Sequence, residues 1–162
     1  MIVEAKNLKA VDVGHYFIGL ANQHKKQITN KKLQKLVYYA QVWSLTLYDK
    51  KLYDEAIEAW VHGPAIRSLY NEYKKFGFDP IKEEIEISEI GKISGETKQL
   101  LDRIWKVYGN LDAGYLEMLT HSEEPWQKAR EGLQDHESSH NEISLDSIKT
   151  YYGEKLKKSK EQ

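Results

Sequence analysis

At 162 residues, 40% of them hydrophobic and 30% charged, the chain has the size and composition of one soluble globular domain that buries roughly two-thirds of the surface of its unfolded form. It contains no cysteine, which excludes disulfides, thiolate zinc sites and a cysteine nucleophile, and suits a reducing cytosol. The net charge of −1 is unevenly spread. Residues 1–60 carry nine lysines against six acidic residues, residues 81–146 carry seven basic against fifteen acidic, and residues 147–162 return to +3. That balance argues against a dedicated nucleic-acid binder and leaves an acidic face for a basic protein partner.

The opening MIVEAKNLKAVDV has no long apolar core and no later run approaches membrane-spanning length, so no leader and no membrane partner is expected, and the expected location is the cytoplasm. Eleven tyrosines and four tryptophans against three phenylalanines fit either a half-buried binding face or a core that uses Tyr.

In chain order, residues 12–24 read as a first helix with Asp12 as its cap and Val13, Tyr16, Phe17, Leu20 and Ala21 on one face. Residues 30–48 form a second, with Thr29 as N-cap and Leu33, Leu36, Val37, Ala40, Trp43 and Leu47 at helical spacing in one apolar stripe. Lys31, Lys32 and Lys35 stand near the positive end of its dipole, so something other than helix stability placed them there. The segment 50–61 fits a short helix or a strand equally.

Gly63-Pro64 then makes a sharp corner, because proline fixes its own φ and glycine tolerates angles that other residues avoid. Residues 65–76 follow as a helix stopped by Gly77. Beyond Pro80, Ile81, Ile85, Ile87 and Ile93 alternate partly with charges, as in an edge ribbon or a charged loop. A helix starts at Ser94 or Glu96 and ends at Gly109, burying Leu100, Leu101, Ile104, Trp105 and Tyr108.

Asp112 caps a short helix with Tyr115, Leu116 and Leu119. Another follows THSEEPW, with Pro125 in its first turn. Residues 131–142 read as a polar loop, and Ser144 starts a last helix bearing Leu145, Ile148, Tyr151, Tyr152 and Leu156. The fold class is mainly α: a compact helical bundle with at most a small β-hairpin. It is one domain over 1–162, with its core at about 12–153 and a basic, frayed tail at 154–162.

The strongest catalytic pattern is His136-Glu137-Ser138-Ser139-His140, a literal H-E-x-x-H, which binds zinc when both histidines share a helix face and the Glu activates water. Asp146 stands where one subclass has its third ligand, but Ile143 replaces the glycine of that subclass. Gly132, Asp135, two serines and Asn141 are poor helix formers, so a solvated loop is the better reading. His62 and His121 have no serine, carboxylate or second histidine at a catalytic spacing. No phosphate loop, dinucleotide glycine pattern or nucleophile elbow is present, so neither enzyme activity nor a cofactor or metal is expected. Composition and spacing end at a compact helical binding module.

Three blocks in fixed order go further: Lys32-Leu33-Gln34-Lys35-Leu36-Val37-Tyr38-Tyr39-Ala40-Gln41; Glu58-Ala59-Trp60-Val61-His62-Gly63-Pro64 with Leu69-Tyr70; and Leu119-Thr120-His121 with Glu124-Pro125-Trp126-Gln127-Lys128-Ala129-Arg130. With Ile143, Ile148 and Tyr151-Tyr152 closing the series, the chain resembles the Panacea antitoxin domain, also called the SocA-like or phage-associated GepA-like domain, from about residue 12 to 153. Ala65 stands where the family often has Val, and residues 79–95 carry nothing diagnostic.

The resemblance implies a bacterial or phage-encoded antitoxin that neutralises a cognate toxin by binding it, with no reaction chemistry. One branch resembles an adaptor that delivers a toxin to a AAA+ protease. A metallohydrolase working through residues 136–140 is a distant third reading. Candidate partner contacts are Lys32, Lys35, Tyr38, Tyr39, Trp60, His62, His121 and Trp126, with Gly63, Pro64 and Pro125 as structural corners.

Overall fold

The structure is a computed structural model and describes residues 8–93 and 95–161. Among the described residues there are seven α-helices, α1 (Ala10–Gln23), α2 (Asn30–Tyr48), α3 (Arg67–Tyr73), α4 (Gly95–Tyr108), α5 (Ala113–His121), α6 (Glu124–Ala129) and α7 (Leu145–Lys160), and a two-stranded antiparallel hairpin of β1 (Glu58–Trp60) and β2 (Gly63–Ala65). The mainly α class and the small hairpin are as expected from the sequence.

The organising element is α2. Helices α1, α4, α5 and α7 and strand β2 all pack on it. Every residue from Leu33 to Val42 is therefore buried, including Gln34, Lys35, Tyr38, Tyr39 and Gln41, which lie outside the expected stripe. A stripe predicts one covered face; neighbours on several sides cover the rest. The stripe instead thins at its end, where Trp43 is half-buried and Leu47 is 38% exposed.

Local cap chemistry sets most of the boundaries. Thr29 Oγ1 accepts the Lys32 N–H (3.2 Å), Asp112 Oδ1 accepts the Tyr115 N–H (2.8 Å), and Ser144 Oγ accepts the Ser147 N–H (3.1 Å), each satisfying an N-terminal donor that the helix cannot. Gly77 closes a 3₁₀ turn after α3 with φ +57°. The first helix differs from expectation. Lys9 is its N-cap, and Asp12, three residues inside, reaches back to accept the Lys9 N–H (2.9 Å). Ser94, one of the two expected starts of α4, lies outside the described residues. The basic C-terminal segment continues α7 as helix to Lys160.

The isoleucine-rich segment 81–93 forms no strand. It contains one 3₁₀ turn (Ile87–Glu89), and its backbone turns elsewhere: Ile81 N–H donates to the Ile28 carbonyl (2.8 Å) and Ile85 N–H to Asn22 Oδ1 (2.9 Å). Ile85, Ile87 and Ile90 then pack half-buried on the core, with Ile87 against Gly19 of α1. Alternation there reflects an apolar strap over a helix, not a sheet. Residues 58–60, left open between helix and strand, pair with 63–65, and the far edge of β1 is closed by the loop before α7: Ala59 N–H donates to Asn141 and Ile143 N–H to Ile57, both at 2.8 Å.

Candidate functional site

The three sequence blocks meet at the hairpin. From α2, Gln34 Oε1 accepts the Ile66 N–H (2.8 Å), while its Nε2 donates to Asn30 Oδ1 (2.9 Å), and Asn30 Nδ2 donates to the Tyr70 carbonyl (3.2 Å). Lys35 Nζ donates to the Pro64 carbonyl (3.1 Å). From the third block, Trp126 Nε1 donates to the Trp60 carbonyl (2.8 Å) and Arg130 Nη1 to the Ala59 carbonyl (2.9 Å), with the Arg130 guanidinium 4.9 Å over the Trp126 ring. Trp126 also stacks on His121, 3.9 Å between centroids. Backbone groups that two three-residue strands cannot satisfy alone are thus held by buried side chains.

Gly63 explains the corner. Its φ of +108° is open to glycine and strained for other residues, and an added Cβ would sit 2.6 Å from Lys35 Cε. The glycine therefore shapes the turn and makes room for the lysine. Pro64 is buried in β2, and Pro125 is buried in the first turn of α6.

The lysines at the start of α2 each answer to a different element. Lys32 Nζ donates to the Gly109 carbonyl (2.6 Å) at the end of α4, where a cation meets the negative pole of that helix. Lys31 pairs with Glu117 of α5. Lys35 is only 2% exposed, and burial pulls its ammonium down to about 7, with Glu117 opposing that shift and Lys31 adding to it. Burial works against the charged form of Glu117 too, but hydrogen bonds from Lys31 and His62 hold its carboxyl below the usual range. Burial likewise depresses His121, whose Nε2 has no hydrogen-bond partner among the described residues.

Of the candidate contacts, Lys35, Tyr38, Tyr39 and Trp126 are buried, and Lys32 and His121 are half-buried. Tyr39 Oη donates to Glu123 Oε1 (2.6 Å), as does Tyr152 Oη (2.8 Å), which leaves Tyr38 as the donor in its 3.1 Å bond to Tyr152. Tyr39 also stacks on Tyr108, 4.1 Å between centroids. Desolvation holds the phenols of Tyr38 and Tyr39 well above their ordinary range, so they act as neutral donors in a core.

Trp60 and His62 have a different setting. With Lys35 they line a groove of about 430 Å³ between the N-terminal half of α2 and the hairpin. Sequence reasoning missed most of the other walls: Tyr70 and Lys74, Phe78 just past the Gly77 stop, and Ser138, Ser139 and His140 from the polar loop. Phe78 is 93% exposed, and a phenylalanine placed immediately after a helix stop was the one available signal. The loop residues arrive through non-local bonds, among them Ile143 to Ile57, Ala59 to Asn141 and Arg130 to Glu137, which no local pattern encodes.

The H-E-x-x-H residues lie on turns and irregular chain, so the helix that would face both histidines towards one ion is not formed. His140 Nδ1 instead lies 3.2 Å from Glu58 Oε1, beside Arg67, and ties the loop to β1. Glu137 Oε1 accepts the Gln134 N–H (3.1 Å) and its carbonyl accepts from Arg130 (2.5 Å). No group of three or more His, Asp or Glu suited to a metal ion occurs among the described residues. No helix among them is long and apolar enough to cross a membrane.

Two comparisons, with curated proteins and with solved structures, find no match. A family model does match: that described as "Antitoxin SocA-like, Panacea domain", over residues 33–127, more than half of the chain and spanning α2, the hairpin and the His121–Trp126 stack.

Proposed function

Because the chain belongs to the SocA-like Panacea antitoxin family, we propose that it is an antitoxin, which neutralises a cognate toxin in the cytoplasm by direct binding and without catalysis. The observation that carries this reading is the division of labour around the hairpin. Motif residues lock the backbone from beneath through buried hydrogen bonds, and the outer surface opens as a groove walled by Trp60, Tyr70 and Phe78. Aromatic side chains on a pre-ordered backbone are what a protein interface uses for its strongest contacts, because little conformational freedom is lost on binding.

The test is co-expression with the adjacent gene. That gene should arrest growth alone and be harmless with this one, and the two products should purify as a stoichiometric complex. A neighbour that is harmless alone, or toxicity that persists although both proteins are soluble, overturns the proposal.

A second reading, an adaptor that hands the toxin to a AAA+ protease, requires a second contact surface. Val107, Tyr115 and Met118 are 61%, 46% and 59% exposed, and none of them lines the groove. On that reading the toxin's half-life lengthens in a protease-deficient host. Under simple sequestration it does not change.

A further inference from the structure

The groove is apolar on Trp60, Tyr70 and Phe78, with lysines and histidines around them. Lys31, Lys35, Lys74, His62 and His140 line it, and no aspartate or glutamate does. Lys31 is already neutralised by Glu117. Lys74 makes no ion pair among the described residues. Lys35 is 98% buried, yet its ammonium has only one partner among them, the Pro64 carbonyl. An ammonium carries three donors, and the one carboxylate that acts on it, Glu117, is already engaged by Lys31 and His62, so burial leaves Lys35 under-compensated. Glycine at position 63 keeps the space for that side chain open.

Resting on the antitoxin reading, we propose that the groove receives a short acidic segment of the toxin. An apolar side chain of that segment lies against Trp60, Tyr70 and Phe78, a neighbouring Asp or Glu carboxylate pairs with Lys35, and a second carboxylate pairs with Lys74. The aromatic walls supply contact area, and the cations supply selection. A neutral segment would desolvate Lys35 further and offer no carboxylate to its spare donors, so it binds more weakly than an acidic one. The positive groups are spread along the lining, which suits several acidic side chains better than one chain terminus.

Two measurements on the full chain test this. The first is the affinity for the adjacent-gene product of the wild type, Lys35→Met, Lys74→Glu and, as a control off the groove that matches Lys74→Glu in charge, Arg103→Glu. Lys74 and Arg103 are exposed, so those variants keep the fold. Both groove variants should bind at least about tenfold more weakly and the control within about twofold. If the wild-type complex forms and both groove variants match it, the groove assignment is overturned while the antitoxin reading stands. If the neighbour is harmless and no complex forms, the antitoxin reading itself has failed and takes this inference with it.

The second measurement follows the Trp60 indole N–H resonance during titration with three peptides: Ac-EDFEL-NH2, its neutral counterpart Ac-QNFQL-NH2, and Ac-QNFQL with a free C-terminal carboxylate. Only the first should shift it strongly. Equal binding by the neutral peptide overturns carboxylate selection, and stronger binding by the third overturns the assignment to acidic side chains in favour of a chain terminus.

Discussion

Two buried polar sites sit about one helical turn apart on α2 and are finished to different degrees. Around Tyr38 and Tyr39, the single carboxylate of Glu123 accepts from Tyr39 and Tyr152, Tyr38 donates to Tyr152, and Lys155 approaches at 3.4 Å, so charge and hydrogen-bonding capacity are matched within the protein. Around Lys35, one carbonyl is the only hydrogen-bond acceptor among the described residues, the carboxylate that acts on it, Glu117, is shared with Lys31 and His62, and the side chain borders a groove instead of a closed core. A completed network specifies the fold, whereas an incomplete one at a cavity is poised for something outside the chain. The candidate contacts read from the sequence came from both sites, and only this difference separates them.

The largest effect should come from breaking the completed site. Glu123→Leu removes the acceptor of two buried phenols, so urea unfolding should show a loss of about 4 kcal/mol, with Tyr39→Phe costing about 1–2 kcal/mol. If Glu123→Leu costs less than a surface substitution, the network is not what holds α2 to α7. Next comes the corner between the sites. Gly63→Ala places a Cβ 2.6 Å from Lys35 Cε at a φ of +108°, for a loss of about 2–3 kcal/mol. In a Lys35→Ala background part of that loss should disappear, since the clash is relieved while the backbone strain remains. Strict additivity would separate the glycine from the lysine.

What was legible in the sequence, and what was not, follows the same line between local and long-range causes. Thr29, Asp112, Ser144 and Gly77 act within a few residues of themselves, and the helix ends they set match expectation. The burial of Lys35, Tyr38, Tyr39 and Trp126 was not legible, because periodicity along α2 reports one face and is silent on elements that arrive from 80 residues away, such as Glu123. Ile81, Ile85 and Ile87 fitted an edge ribbon as well as a charged loop for a related reason. Alternation records which side chains are covered, but the partners of the backbone, here Ile28 and Asn22, decide whether a strand forms. The loop side of the groove was out of reach as well, since Ser138, Ser139 and His140 join it through non-local bonds of that loop to β1 and Arg130.

The unfinished site should also be visible in pH dependence. Lys35 has its folded-state value lowered to about 7 from 10.5, so between these values the unfolded chain holds a proton that the folded chain has released. Stability therefore rises with pH across this window, by about 1.5 kcal/mol between about pH 7 and about pH 8.5, and the penalty is fully present below it. Glu117, Lys31 and His121 face the ammonium, and His121, itself depressed from 6.5, titrates below the window. Lys35→Met should flatten this slope and leave the protein at least as stable near neutral pH, while weakening the complex with its partner. A slope that survives the substitution would mean that another group titrates there and that Lys35 is well compensated inside the fold.

The smallest effect should come from His140, and its smallness is informative. The side chain is 66% exposed, lies 3.2 Å from Glu58 Oε1 beside Arg67, and shares that carboxylate with the guanidinium. Exposed pairs of this kind contribute little because water screens them and two side chains must be held in place, so His140→Ala should cost no more than about 0.5 kcal/mol. It should nonetheless loosen the loop that carries Ser138 and Ser139 to the groove, raising amide exchange at residues 136–141 while leaving that of α2 unchanged. Binding of the partner should then weaken by a factor of about two to five, through the cost of reordering the loop. Glu137→Gln, which keeps an acceptor for the Gln134 N–H, should leave both stability and neutralisation unchanged. A loss of function on that conservative change, with the fold intact, would restore a chemical role to the H-E-x-x-H residues and move the working site from the aromatic wall to the loop.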